Sequence, residues 1–239
     1  MRVCALLMGL LALGISPLQA QEVNLYLMEV PPYAMDTPQG KGMLGDVVME
    51  AARRAGLQPK IVVVPSPRAL MEVPKLDDTL IIPLARLKDR EAHYTWIAHI
   101  VDVERAFYTR DKKIDSFEQA RTSLQAIGVS RGSAGYLILL EQGFSKEQLI
   151  EVNQGASAAK MLALGRLDAW YNPVLEAERL QAEIGKERLV MGKPLGTTGQ
   201  YLACSKRCNP DLVNRLSHAI KDMQRDGSAK KLIGAYLPP

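Results

Sequence analysis

The chain has 239 residues, of which 47% are hydrophobic and 23% charged, a composition that is ordinary for a globular protein and excludes a disordered or low-complexity chain. The formal net charge is +4, but acidic residues are interleaved with the basic ones, as in Asp89-Arg90-Glu91. Because proteins that follow a nucleic-acid backbone need clustered positive charge, the sequence argues against nucleic-acid binding.

The N-terminus has the features of an export signal. Arg2 is followed by an apolar run over 3–15, a break at Pro17 and a small residue, Ala20, before Gln21. The run is too short to span a bilayer, so we expect a cleaved signal peptide over 1–20 and a mature protein in the periplasm. The alternative interpretation is a buried first helix.

Two cysteines remain after such a leader is removed. Cys4 lies within it, whereas Cys204 and Cys208 are close enough in sequence for a disulfide across a turn. An oxidising compartment favours this pairing. A metal pair is the alternative, although no histidine or further cysteine lies beside them. No metal or cofactor motif stands out, and we expect no cofactor.

The first part of the chain alternates strand and helix patterns. Strands are predicted over 22–30, 59–64 and 79–84. The β-branched 59–64 segment is typical of a strand covered on both faces. One helix is predicted to begin at Asp46, as its cap, and to end at Gly56, and another to begin at Ser66-Pro67. This βαβαβ order indicates a mostly parallel sheet.

The second part of the chain repeats the alternation. Strand patterns cover 93–100, 105–110, 126–129, 148–152, 167–171, 188–191 and 200–204. Helix patterns cover 134–141, 156–164, 173–184, a long amphipathic segment from Asn209-Pro210 and a short final segment after Gly227. Two α/β units of about a hundred residues each fit the chain length.

Six stretches of the sequence carry a resemblance that extends over the whole mature chain. They are Pro31-Pro32-Tyr33, the 42–56 segment with Leu44-Gly45-Asp46-Val47-Val48, the 83–90 loop with Trp96 after it, the 127–133 strand and loop, Gly165-Arg166-Leu167-Asp168-Ala169, and the 209–237 end. In this order they resemble the family 3 extracellular solute-binding proteins, which are periplasmic receptors of polar amino-acid ABC importers.

The resemblance implies a two-lobed periplasmic binding protein fold of type II. Each lobe would be a mostly parallel α/β sheet flanked by helices, and two hinge strands would join the lobes. The implied lobe 1 comprises 21–104 and 200–239, and the implied lobe 2 comprises 105–199. The solute would bind in the cleft between the lobes and be enclosed by hinge closure.

The function implied by the resemblance is the capture of a small carboxylate-bearing solute, an amino acid or a related compound. The protein would act as a monomer, would not be an enzyme, and would deliver its solute to the membrane permease of an ABC importer. One alternative is a ligand-sensing periplasmic module for a membrane receptor. Another is a dehydratase-like enzyme on the same fold, for which Glu29 is the carboxylate nearest the expected cleft.

Three arginines are candidate ligands of the solute's carboxylate. Arg90 falls on the family's carboxylate-binding arginine, and its planar guanidinium matches a carboxylate. An ion pair with Asp89 or Glu91 is the alternative. Arg86 is a candidate second clamp, or a solvated loop residue, and Arg68 lies in the first turn of a helix near the cleft edge.

The remaining candidates are aromatic and polar. Tyr33 and Trp96 are possible aromatic walls, although Trp96 can equally be packed inside its lobe. Arg131 and Ser133 lie in a strand-to-helix loop that can direct backbone N–H groups at an anion. The family's amino-acid binders usually have an aspartate for the ligand ammonium shortly after the stretch that resembles Asp168-Ala169, whereas this chain has Asn172 nearby, which can accept a hydrogen bond but carries no charge. A carboxylate ligand without an ammonium is therefore as consistent with the sequence as an α-amino acid.

Overall fold

The computed structural model describes residues 21–153, 155–184 and 188–237. The predicted signal peptide, 1–20, lies outside the described residues. No helix in the described part of the chain is long and apolar enough to cross a membrane.

A sheet of nine strands forms the centre of the described structure. The strands are β1 (Gln21–Leu27), β2 (Leu57–Val63), β3 (Leu80–Ala85), β4 (Tyr94–Thr109), β5 (Ile127–Ser130), β6 (Leu149–Val152), β7 (Ala169–Pro173), β8 (Val190–Met191) and β9 (Thr197–Ser205). Their order is β2-β1-β3-β9-β4-β7-β5-β6, with β8 beside β4. The β2-β1-β3 and β6-β5-β7 groups are parallel, whereas β9 and β4 pair antiparallel with each other and with the groups that they join.

Helices flank the sheet, so the predicted mixed α/β class is confirmed. They are α1 (Gly42–Arg54), α2 (Ser66–Glu72), α3 (Phe117–Ser123), α4 (Ala134–Glu141), α5 (Gly155–Ala163), α6 (Val174–Ile184), α7 (Pro210–Arg225) and α8 (Ser228–Gly234). The sequence pattern missed α3, which is short and largely polar. It begins where the Ser116 side chain accepts a hydrogen bond from the backbone N–H of Gln119 at 3.1 Å.

Two of the predicted strands are one strand in the structure. We expected separate strands over 93–100 and 105–110, but β4 runs without a break through both. Its residues from Tyr94 to Glu104 pair with β9, and those from Arg105 to Tyr108 pair with β7. The apolar run is interrupted because the side chains of 102 and 104 point to solvent, which alternation along a strand permits.

The two faces of β2 are covered only in part: Ile61 packs against one buried cluster and Val62 against another. β2 lies at the edge of the sheet and pairs with β1. Gln58 and Lys60 are exposed, and Val63 keeps 43% of its surface accessible. β-branched residues favour any pleated surface, including a half-covered one, so the composition alone could not separate a central strand from an edge strand.

The buried apolar side chains form separate clusters on the two sides of the β4–β9 pair. The largest joins residues of β1, α1, β3 and the C-terminal helices α7 and α8. Two others join β4 beyond Arg105 to β5, β7, α4 and α5. We keep the terms lobe 1 (21–104 and 200–239) and lobe 2 (105–199) for these groups of elements, and the boundaries themselves stay a prediction.

A disulfide joins Cys204, near the end of β9, to Cys208, before α7. The predicted pairing is therefore present in the structure. It closes a loop at the side of the sheet where Arg207 and Asp77 form an ion pair at 2.5 Å. Because the closed loop is short, we expect the disulfide to act as a local restraint on the connection between β9 and α7.

The start of α1 differs from the prediction. Asp46 lies inside the helix, which begins at Gly42, but its carboxylate still reaches back to the helix start. Its Oδ1 accepts the N–H of Lys41 at 2.8 Å, and its Oδ2 accepts the hydroxyl of Tyr236 near the C-terminus. That hydroxyl in turn accepts the N–H of Gly42 at 3.2 Å. The segment that follows the last helix is therefore tied to the start of the first helix through one phenol.

Tyr236→Phe is expected to lower the free energy of unfolding by about 1–2 kcal/mol, since Gly42 N–H and one oxygen of Asp46 lose their partner. Urea unfolding of the mature protein measures this change. Tyr26→Phe is a matched control, because the Tyr26 hydroxyl makes one long hydrogen bond, 3.4 Å to Glu72. Equal stabilities of the two variants would contradict the role of the Tyr236 hydroxyl.

Candidate functional site

A cavity of about 310 Å³ lies between the two lobes. It is at the carboxyl ends of the parallel strands, the edge at which α/β sheets commonly bind ligands. Lobe 1 contributes residues after β1 and from β3, and lobe 2 contributes residues after β5, β6 and β7. The polar and charged residues of the lining are Glu29, Tyr33, Ser66, Arg105, Ser130, Arg131, Ser133, Asn153, Tyr171, Asn172, Glu176 and Gln200.

Arg105 is the buried cation of this cavity. It lies on β4 where that strand passes from β9 to β7, and 5% of its surface is exposed. Its Nη1 donates to the carbonyl oxygen of Val103 at 3.3 Å and to Oγ1 of Thr198 at 2.5 Å. No acidic side chain in the described residues lies within ion-pair distance of it. Burial lowers its pKa, which reflects a positive charge without a countercharge in contact.

Glu176 faces the same cavity from the first turn of α6. Its Oε2 accepts a hydrogen bond from the side-chain amide of Asn172 at 2.9 Å. Burial raises the pKa of the carboxyl group to about 7, although the Asn172 hydrogen bond and the charge of Arg105 act in the opposite direction. Its Oε1 would lie 2.8 Å from a β-carbon at Gly155, so a glycine is needed opposite it. The carboxyl group can therefore be neutral or charged near neutral pH.

Two tyrosines add phenol groups to the cavity lining. Tyr33 follows the two prolines after β1, and Tyr171 lies on β7. Burial raises the pKa of each to about 12, so both are neutral hydrogen-bonding groups at physiological pH. The Tyr171 hydroxyl already donates to the carbonyl oxygen of Leu195 at 2.5 Å.

The 130–133 loop forms the lobe 2 wall opposite α2. Ser133 is the N-cap of α4, and its hydroxyl accepts the N–H of Tyr136 at 3.4 Å. Gly132 has φ of +70°, a conformation that favours glycine. Arg131 lies 3.9 Å from Glu151, and its side chain is half exposed. The loop can offer hydroxyl groups and a peripheral positive charge to a solute.

Four of the eight predicted binding residues line the cavity: Tyr33, Arg131, Ser133 and Asn172. The other four lie outside it, namely Arg90, Arg86, Arg68 and Trp96. Whether any of the eight contacts a solute stays a prediction.

The four residues outside the cavity have contacts of their own. Arg86 forms an ion pair with Glu91 and lies 5.4 Å from the centre of the Trp96 ring, over which it stacks. Arg68 pairs with Glu72, one turn later in α2, at 2.8 Å. Trp96 also packs edge-on against Tyr201, as expected if it packs inside its lobe and does not form a wall of the site. Arg90 contacts two backbone carbonyl groups, described below.

Sequence reasoning missed Arg105 and Glu176. One available signal was strand alternation, because Arg105 occupies the same face of β4 as the buried Val103 and Phe107. A charged residue on an inward face is costly to bury and is a frequent sign of a site. For Glu176 the signal was its place one turn after the end of β7, at the edge where the other strands also end.

Comparison with known proteins gives a family. The sequence model of a family described as bacterial extracellular solute-binding proteins, family 3, matches residues 25–239. A search of the curated proteins finds no match.

Solved structures give the fold. An ancestral arginine-binding protein bound to arginine has 16% identity and a TM-score of 0.78, covering 92% of this chain and 100% of its own. A histidine kinase sensor domain with similarity to periplasmic binding proteins has 16% identity and a TM-score of 0.81, covering 92% and 97%. The GluR0 ligand-binding core from Nostoc punctiforme in complex with L-glutamate has 18% identity and a TM-score of 0.74, covering 91% and 100%.

Proposed function

The chain belongs to the bacterial extracellular solute-binding proteins of family 3, and from this premise we propose that its cavity captures a small carboxylate-bearing solute by closure of lobes 1 and 2. The observation that carries the proposal is Arg105, a buried positive charge that faces the cavity without an acidic partner among the described residues. A carboxylate of the solute supplies the missing countercharge.

The energetics favour this arrangement. A buried guanidinium is stable when it is paired and hydrogen-bonded, and a charge-assisted hydrogen bond contributes about 1.5–3 kcal/mol. Arg105 already donates from Nη1 to Val103 and Thr198, and its Nη2 makes no hydrogen bond with the described part of the chain. A solute carboxylate in the cavity neutralises the charge of Arg105 and can accept a hydrogen bond from its Nη2.

Glu176 supports a second recognition point in the same cavity. Sequence comparison with the family suggested that the ammonium-binding aspartate is missing beside Asn172, but Glu176 brings a carboxyl group to Asn172 from the next turn. When this group is charged, the cavity lining holds a negative charge as well as the positive charge of Arg105. Amino acids and related zwitterions therefore belong to the proposed ligand class, beside simple carboxylates.

The proposal is tested by thermal melting of the mature protein with a panel of amino acids, polyamines, dicarboxylates and aromatic acids. A ligand at a hundred times its dissociation constant stabilises the folded state by about 2.7 kcal/mol, which is a shift of several degrees. We expect shifts with carboxylate-bearing compounds and none with polyamines. Shifts with polyamines alone would overturn the proposal.

The same samples address the enzymatic alternative. Glu176 is the specific observation that favours it, since a pKa near 7 suits a general acid. After incubation, a solute that binds is expected to be recovered with its mass unchanged. Loss of one water from a bound solute would replace the binding proposal by a dehydratase.

We further propose that the protein is exported to the periplasm and delivers its solute to an ABC importer. A sensing role for a membrane receptor is the second candidate, favoured by the likeness to a histidine kinase sensor domain. Deletion of the gene separates them once a solute is known. Loss of uptake supports the importer, whereas normal uptake with loss of the transcriptional response to the solute supports the receptor.

A further inference from the structure

Arg90 is buried beside the cavity rather than in it. It lies in the helical turn Lys88–His93 after β3, and 9% of its surface is exposed. No acidic side chain in the described residues forms an ion pair with it, including its neighbour Asp89. Its partners are two carbonyl oxygens: Nη1 donates to Ala85 at 3.3 Å and Nη2 donates to Gly132 at 2.9 Å.

These two carbonyl groups belong to different lobes. Ala85 ends β3 of lobe 1, whereas Gly132 is in the 130–133 loop of lobe 2. A β-carbon on Gly132 would be 3.4 Å from Cδ1 of Leu70 and 3.6 Å from Pro67, both in α2 of lobe 1. The 130–133 loop is therefore docked on lobe 1 at a small surface made by Arg90, Pro67 and Leu70.

From this geometry we propose that Arg90 is a latch between the lobes, which holds the 130–133 loop against lobe 1 and stabilises the closed arrangement before a solute binds. Arg90 is a positioning residue in this role and does not touch the solute. The inference goes beyond the proposed function, because it concerns the ligand-free protein and holds whatever solute the cavity accepts.

The physical reason lies in the partners of the guanidinium. When the lobes separate, Arg90 loses its hydrogen bond to the carbonyl oxygen of Gly132, and water takes the place of that oxygen. Only the longer hydrogen bond to Ala85, in its own lobe, remains. A hydrogen bond to a charged donor is among the stronger ones in proteins, so its loss shifts the closed-to-open ratio by roughly ten- to a hundred-fold. The latch also fixes Ser130 and Ser133, which line the cavity.

The test measures the distance between the lobes without any solute. Spin labels are attached to the exposed positions Lys60→Cys in lobe 1 and Lys160→Cys in lobe 2, and their distance distribution is recorded by double electron–electron resonance. Arg90→Met removes the two donors and is expected to move the distribution to longer distances. Lys88→Met, which removes one positive charge from the exposed side of the same turn, is expected to leave it unchanged.

Identical ligand-free distributions for Arg90→Met and Lys88→Met overturn the latch. Loss of solute affinity in Arg90→Met together with an unchanged ligand-free distribution assigns Arg90 to the solute instead and also overturns it. Failure of the melting panel leaves this test intact, because no solute is used. If Arg90→Met does not fold, as judged by circular dichroism, Arg90→Lys is measured, and a partial shift to longer distances is expected because a lysine cannot span both carbonyl groups.

Discussion

Arg105→Met is expected to weaken the binding of a carboxylate-bearing solute by roughly thirty-fold or more. Removing one partner of a buried, hydrogen-bonded charge pair commonly costs about 2–5 kcal/mol, because the other charge is left enclosed and unpaired. In the variant, a solute carboxylate entering the cavity would meet no countercharge at β4. Isothermal titration with the best compound of the melting panel measures the change.

Two further variants make this result specific to Arg105. Arg105→Lys keeps the charge but loses the planar pair of donors, so we expect an intermediate loss of about ten-fold. Arg110→Met removes an exposed arginine just beyond the end of β4, and its affinity is expected to equal that of the unchanged protein. Retention of full affinity in Arg105→Met would place the solute's carboxylate elsewhere, with Arg131 as the next cation in the cavity lining.

Glu176→Gln is expected to stabilise the ligand-free protein at pH 8 and to have little effect near pH 4.5. The folded protein holds this proton with a pKa of about 7, against an ordinary value of 4.5. Between those values the folded state binds more protons than the unfolded state, so its stability falls as the pH rises toward 7. A neutral glutamine removes this loss, which is at most about 3 kcal/mol.

The measurement is urea unfolding of both proteins at the two pH values. Glu178→Gln, at an exposed position of the same helix, is the control and is expected to change stability by less than about 0.5 kcal/mol at either pH. A gain of stability for Glu176→Gln that is equal at the two pH values would contradict the raised pKa. If the solute carries a cationic group near Glu176, we expect the ligand-free Glu176→Gln protein to be more stable and its affinity for the solute to be lower.

Local sequence patterns were sufficient to predict most of the fold. The strands, most of the helices and the disulfide between Cys204 and Cys208 follow from short-range apolar and turn signals that the structure retains. The errors have local causes as well. At β4 the exposed Asp102 and Glu104 look like a turn when only hydrophobicity is read, whereas they are one face of a continuous strand.

The site was predictable only in part, because it depends on which side chains the two lobes turn toward each other. Tyr33 lies in the loop after β1 and Asn172 lies near the end of β7, so their place at the cavity follows from the topology. Arg90 and Arg105 could not be separated in this way. The family pattern points to Arg90, but the turn that carries it directs the guanidinium to Gly132, whereas Arg105 is turned to the cavity by the alternation of β4.

The pairing of β4 with β9 has a mechanical consequence. The two strands are paired from Tyr94 and Ser205 to Glu104 and Thr197, so we expect them to bend together, as one ribbon, when the lobes move. Arg105 lies where β4 passes from β9 to β7, so we expect it to move less during such bending than the residues at the rim of the cavity. A fluorescent dye near Arg105 would then respond to solute binding, and a dye at the rim of the cavity would respond to lobe closure. The two steps could be timed separately.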